Sequence, residues 1–584
     1  MHMVRFLARR RPAAIGAVLL ALSACATNGG EPVATTDRIQ INQVGFLPEA
    51  AKWAVVPAVT AARFDIVDTS TARVVFTGDL GARALWTPAH AEVRLADFSA
   101  LTASGSYRVH VDGLADSPPF AIAPQAYEAI AAASLKAFYF NRASTALTPD
   151  YAGPWARAAG HPDTQVLVHA SAAGPTRPEG SVIACPKGWY DAGDYNKYVV
   201  NSGISTWTLL AAYEHFPGYF QRQRVHLPES GNGLPDVLNE ALWNLEWMLC
   251  MQDPADGGVY HKLSNANFDA IVMPDKATAP RYVVAKSTAA TLDFAAVMAT
   301  ASRVFRAYER QRPGLAARMR SAAESAWTWA HAHAPAPYRE PQDIHTGVYA
   351  DDALDDEFAW AAAELYITTG DDLYYAAMRA PELPASVPGW GDVGGLAWIS
   401  LAHHRHALTA AADQRLIVDR ISGLAERLAS DWQASAWRVS MRDGDFQWGS
   451  NSIALNQALM LIQGYRLTGQ RRDLDAAQAL LDYVLGRNAT GASMVTGFGT
   501  RSPLHPHHRP SMADGVAAPV PGFLVGGPQP GHQDRANCPL PYPVEPAKSW
   551  LDHDCSYATN EVAINWNAPL VYVTAALQAL AYTP

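Results

Sequence analysis

The chain has 584 residues, of which 49% are apolar and 17% charged. That balance excludes a disordered chain, and the length suits one large domain plus a small one. A net charge of −10 at pH 7 argues against nucleic acid as a partner, and no Gly-rich phosphate loop of the Walker or dinucleotide type is present.

Residues 1–25 read as an export signal. Arg5, Arg9, Arg10 and Arg11 precede an apolar run from Ala13 to Ala24, too short to span a bilayer as a mature helix. Its end, Leu22-Ser23-Ala24-Cys25, resembles the bacterial lipobox, whose cysteine becomes the lipidated first residue. The expectation is a lipoprotein anchored to a membrane through Cys25, with Ala26 pointing to the outer membrane. The alternative is a plain secretory signal cleaved near Ala24–Ala26. Residues 26–37 are small and polar and read as a linker.

From 38 to 123 the pattern changes to short strands, at 52–58, 63–69, 73–80, 92–98 and 106–112, separated by Gly, Pro, Asp and Ser turns. Regular turn spacing over this length predicts a small β-sandwich of immunoglobulin type. Pro124 marks the boundary, and 124–584 form the second domain. There the period is helical: Leu238, Leu242, Leu245 and Leu249 step by four, three and four. Similar segments lie near 127–140, 202–216, 286–309, 314–333, 355–368, 371–379, 393–407, 416–431, 451–468, 472–486 and 560–581. The fold class is therefore mainly α. About twelve helices fit a barrel of paired helices, and the lack of a clean repeat counts against a solenoid. The connections 141–200, 251–285 and 488–559 are long and rich in Gly, Pro, His and aromatics, the composition of functional loops on a rigid scaffold. An exported chain can hold disulfides. Cys538 and Cys555 flank one Pro-rich loop and can pair, but Cys185, Cys250, Cys538 and Cys555 allow three complete pairings.

Two segments carry acid/base chemistry. In 188–198, GWYDAGDYNKY, Asp191 and Asp194 flank Ala192-Gly193, and Gly193 permits a tight turn that faces both carboxylates into one volume. Two acids so placed are costly to ionise together, which suits acid/base work; a plain surface turn is the competing reading. Trp189, Tyr190, Tyr195 and Tyr198 offer flat faces of the kind that pack on sugar rings. In 550–570, Glu561 stands at the start of the last helix among Val562, Ala563, Ile564 and Trp566. Apolar surroundings raise a carboxyl pKa, as a general acid requires, although a helix-start Glu favoured by the dipole is common. The run His505-Pro-His-His-Arg509 can be read as a metal site, though no Cys lies close by and Pro506 stiffens it. Trp448 reads as a stacking platform, with Trp390 and Trp566 as weaker candidates.

These motifs together resemble glycoside hydrolase family 9, the cellulase family once called E. DAGDYNKYVVNSG at 191–203 is similar to the family's catalytic-base motif, and SMVTGFGTRSPLHPHHR at 493–509 to its first signature. Residues 550–568 are similar to its second signature: an aromatic, then Asp552, Tyr557, Glu561 and Asn567 at the family spacing. NQVGFLP at 42–48 resembles the start of the immunoglobulin-like domain that precedes many such enzymes; GGVYHKL at 257–263 and DDEFAWAAAELY at 355–366 are also similar.

The resemblance implies an (α/α)6 barrel and an inverting mechanism. Asp194 would be the general base, Asp191 would orient the water or tune its partner, and Glu561 would be the general acid. His507, Arg509, Trp448, Tyr195 and Tyr557 form the expected substrate-binding set. Trp566 departs from the Tyr of many relatives, so its role stays open. No cofactor is required. Some members bind structural calcium, and Glu229, Asp236, Glu240, Asp351, Asp352, Asp355 and Asp356 are possible oxygen ligands, although solvated acids at helix starts explain them as well. No metal residue is assigned. The expected function is an endo-acting β-1,4-glucanase, monomeric and lipid-anchored, acting on cellulose or related β-glucans. The rivals are an exo-acting member cutting cellodextrins or glucosamine oligomers, and a helical lipoprotein that only binds glycans.

Overall fold

The computed structural model describes residues 38–581. The expected signal, Cys25 and the linker lie outside the described residues. Two antiparallel sheets form the first unit. One runs in the order Trp53–Pro57, Ala91–Asp97, Ala84–Trp86; the other Val74–Asp79, Arg63–Asp68, Gly105–His110, Phe120–Ile122. Alternate residues point inward, so Phe46, Phe64, Ile66, Phe98, Val109 and Phe120 close one core. The strands at Ala84–Trp86 and Phe120–Ile122 escape sequence detection because three residues are too few to show alternation.

Twelve helices then alternate between an outer and an inner ring. The inner six are Val199–His215, Thr288–Phe305, Asp355–Thr369, Gly394–His404, Ser450–Thr468 and Ile564–Leu580. Each packs on the next, and the last closes on the first. Between them the chain visits the outer helices Glu128–Phe140, Asp236–Met251, Leu315–Ala332, Asp372–Ala377, Gln414–Ala434 and Arg471–Val484. The arrangement is an (α/α)6 barrel. Composition separates the rings. Thr288–Phe305 is rich in Ala and Thr and buried on every side but Arg303, whereas Gln414–Ala434 buries only a stripe of Ile417, Ile421, Leu424, Ala425, Leu428, Ala429 and Trp432.

Ring closure has one consequence for the site. The first and last inner helices, far apart in sequence, are neighbours, so the segments leading into them meet at one end of the barrel. A five-stranded sheet supports that end, ordered Lys197–Tyr198, Tyr260–Asn265, Arg281–Lys286, Val166–Val168, Val182–Ile183. The sequence reads this region as loop: all six residues of Tyr260–Asn265 are buried, so no period-two pattern marks them. Disulfides join Cys185 to Cys250 and Cys538 to Cys555. No helix among the described residues is long and apolar enough to cross a membrane.

The sandwich joins the barrel through the Asn42–Pro48 motif. Asn42 is fully buried; its Nδ2 donates to Gly45 O and to Asp482 Oδ1, each at 2.8 Å, and its Oδ1 accepts from the amides of Val44 and Gly45. Trp86 packs on Trp437 across the same joint, with ring centroids 4.7 Å apart. Asn42→Ala removes a donor from a buried carboxylate and is expected to cost about 1–3 kcal/mol, read as a lower urea midpoint of unfolding.

Candidate active site

Asp191–Asn196 leads into the first inner helix and Glu561 into the last. Asp191 is held at both oxygens: Oδ1 accepts from Asn201 Nδ2 at 2.7 Å and Oδ2 from the Tyr349 hydroxyl at 2.6 Å. Its carbonyl accepts the Ile564 amide at 2.9 Å, so the Asp191–Asn196 loop caps the helix that follows Glu561. At Asp194 three donors converge on Oδ2: the Asn196 amide, Asn196 Nδ2 and the Tyr198 hydroxyl, at 3.2, 2.8 and 3.3 Å. These bonds fix the carboxylate's orientation in the cleft. Tyr198 is held in turn by the Gly347 amide.

Glu561 is extended backbone, not a helix start. Tyr557–Asn560 forms a separate turn, and the last helix begins at Ile564. Glu561 bridges instead to His507, and its Oε1 accepts the Gly193 amide at 3.2 Å. The chain bends at Gly193 as expected, closed by the Asp191 amide on Asn196 O, but the backbone there is not left-handed, so the bend alone does not require glycine. A Cβ there would overlap the His507 carbonyl oxygen and stand 3.1 Å from Glu561 Oε1. Glycine is needed for close approach. Arg509 completes the joint, its amide and Nη1 both donating to Gly193 O.

Burial pushes the Asp191 carboxyl up to about 8, assisted by the Asp194 charge and opposed by Tyr349 and Asn201. Burial, then Asp194, also raises Glu561 well above the usual carboxylate range, against Arg509 and the Gly193 amide. That shift favours the proton-bearing form of Glu561. His507 is shifted down by burial, and its Nδ1 donates to Asp554 O at 2.6 Å, which fixes the neutral tautomer.

Asp191, Asp194 and Glu561 line one cleft of about 1140 Å³. Trp448, Tyr557, His507 and Arg509 line it too. Trp448 is 41% exposed, and its ring lies 5.8 Å from that of Tyr557, which lies 5.8 Å from that of His507. Arg509 Nε donates to Asp269 O, so this arginine braces two cleft loops as well as facing the cavity. Trp390 lies beside Tyr349, and Trp566 packs under Gly449, next to Trp448.

Tyr195 is a correction. It is buried against Tyr190, its hydroxyl donates to Val272 O at 2.6 Å, and it does not line the cleft. It supports a loop and offers no face to substrate. Trp189 and Tyr190 are likewise interior. The metal reading of 505–509 also fails among the described residues, because the imidazoles diverge. His508 turns inward to Ser511 and Asn141, and His507 to Asp554 O. Of the acids considered for calcium, Glu229 and Glu240 pair with Arg142, Asp236 accepts from Val225 N and Ser230, and Asp352 pairs with Arg339. Sequence reasoning missed Tyr349, two residues before the Asp351-Asp352 pair, and the part played by Asn201, although Asn201 lies within the 191–203 motif.

The family model "Glycosyl hydrolase family 9" matches residues 127–574. The chain belongs to this family. A second model, "Cellulase N-terminal ig-like domain", matches 34–116. The chain is 42% identical over 569 residues to the xyloglucan-specific endo-beta-1,4-glucanase BoGH9A of Bacteroides ovatus, covering 94% of this chain and 95% of that protein. It is 32% identical over 548 residues to endoglucanase D of Acetivibrio thermocellus, covering 92% and 83%. The solved structure of a Bacteroides ovatus family 9 protein superposes with a TM-score of 0.87 at 42% identity, covering 94% of this chain and all of that one. The protein is a glycoside hydrolase.

Gly193→Ala must separate the base loop from the acid strand. We expect kcat to fall at least about 100-fold while the circular dichroism spectrum is unchanged, since sub-ångström placement governs such sites. An alanine variant with normal turnover would show that the close approach is dispensable.

Proposed function

We propose that the chain is an endo-acting β-1,4-glucanase that hydrolyses β-glucans, xyloglucan among them, with inversion. One observation carries this reading: a buried Glu561, tied to the Gly193 amide, and an Asp194 oriented by three donors face the same solvent-open cleft. In the reaction, Glu561 gives its proton to the glycosidic oxygen as the bond to the anomeric carbon breaks. Asp194 takes a proton from the water that attacks that carbon, and Asp191, fixed by Tyr349 and Asn201, positions the water. One displacement converts a β-linkage to an α-hemiacetal. Identity to a xyloglucan-specific endoglucanase and to endoglucanase D supports the substrate class. Export and anchoring through Cys25 belong to the same proposal, supported by the lipobox-like Leu22–Cys25.

The test is proton NMR of the anomeric signal in the first minutes, together with the fall of polymer viscosity per bond cut. An α product and an early viscosity drop are expected. A β product withdraws both acid and base roles, and slow viscosity loss favours the exo-acting rival. Asp194→Ala should lower kcat roughly 100- to 10,000-fold. Below its pKa Glu561 holds the proton the leaving oxygen needs, so rate falls as pH rises through that value. Glu561→Gln should abolish this alkaline limb and cost least with an activated aryl leaving group. For the anchor, Cys25→Ser should move the protein from the membrane to the soluble fraction. Wild-type protein that is soluble after lysis with an unmodified N-terminus overturns that part.

A further inference from the structure

The loop 266–280, between the strands Tyr260–Asn265 and Arg281–Lys286, forms one wall of the cleft through Phe268, Asp269, Ala270 and Ile271. Its backbone is tied down at several points. Arg509 Nε donates to Asp269 O at 2.9 Å, the Tyr195 hydroxyl to Val272 O at 2.6 Å, and the His345 amide to Ala266 O at 2.7 Å. Between these anchors Phe268 and Ile271 remain 47% and 51% exposed, and Val348 on the adjoining cleft wall is 40% exposed. A fixed backbone that holds large apolar side chains in water at the rim of a ligand cleft marks a contact surface for that ligand.

The shape of this surface selects the group it can cover. A main-chain glucosyl unit offers broad ring faces, which the flat rings of Trp448 and Tyr557 match. Ile271 has no flat face, and the Phe268 ring has the Arg509 guanidinium over one face, 5.8 Å from its centroid. Together they suit a compact apolar edge that projects sideways from the glucan. A pentopyranosyl branch on O6 has that form: it lacks a hydroxymethyl group, and its C5 is a bare methylene. We infer that Phe268 and Ile271 receive the pentosyl branch of a branched β-1,4-glucan. The inference rests on the glucanase reading above and names the part of the substrate that this wall recognises.

The experiment measures kcat/KM for a xylosylated cello-oligosaccharide and for the unbranched oligosaccharide of the same backbone length. Wild type, Phe268→Ala, Ile271→Ala, the double alanine variant and Phe268→Leu are compared. The branched-to-unbranched ratio is expected to fall about tenfold in the double variant, the lower end for losing apolar contact in a specificity site. Phe268→Leu should keep most of it. Both side chains are half-exposed, and the unbranched rate reports the integrity of the acid/base site in the same assay. An unchanged ratio, equal losses on both substrates, or wild-type enzyme that cleaves only the unbranched chain overturns the inference and leaves the glucanase reading standing. Wild-type enzyme that cleaves neither substrate overturns both.

Discussion

The active site depends on one close approach, the backbone of Gly193 against the His507 carbonyl and the Glu561 carboxylate. Gly193 and Glu561 are 368 residues apart in sequence. Barrel closure brings the starts of the first and last inner helices side by side, but it sets them only to within a helix diameter. The remaining precision comes from hydrogen bonds across the joint: Gly193 N to Glu561 Oε1, Arg509 to Gly193 O, Ile564 N to Asp191 O, and His507 N to Asn560 O. No side chain larger than hydrogen at 193 is compatible with this seam.

The seam also sets the electrostatics. It buries Asp191 and Glu561 within range of the Asp194 charge, so both carboxyls are held above the usual range. Burial is the first cause of the upward shifts at both Asp191 and Glu561, and the Asp194 charge the second. Asp191 keeps its place because Tyr349 and Asn201 satisfy both of its oxygens. A buried carboxyl without them would cost more than the site's geometry returns. The proposed roles are consistent with this: Glu561, raised by its burial in the seam, is suited to give a proton.

Much of this was legible in the sequence. The helical period, the count of about twelve helices and the spacing of the Asp191–Gly203 and Trp550–Ala568 motifs point to the barrel and its acids. What stayed hidden shares one cause: its signal lies in the third dimension. The buried strand Tyr260–Asn265 lacks alternation because both faces are covered. Tyr349 and Asn201 acquire meaning only when folding brings them to Asp191. Tyr195 misled in the opposite way: an aromatic beside a catalytic aspartate reads as a sugar platform, yet its neighbours turn it inward to hold Val272. Gly193 was singled out for a turn and is needed for contact, a distinction that only the backbone conformation draws.

Arg509 shows how catalysis and recognition are joined without being confused. One guanidinium donates to Gly193 O in the base loop and to Asp269 O in the wall loop, and it lies 5.8 Å from the Phe268 ring. Its bonds go to backbone carbonyls, so it fixes the course of both loops whatever side chains they carry. The side chains at 268 and 271 make none of those carbonyl bonds, and Phe268 meets Arg509 only through its ring face. Substitution there changes what the wall presents to a substrate while the carbonyls that register the base loop stay bonded. Specificity in such a cleft can therefore drift at the rim, whereas Gly193, Arg509 and the two acids are bound to one another by geometry and can change only together.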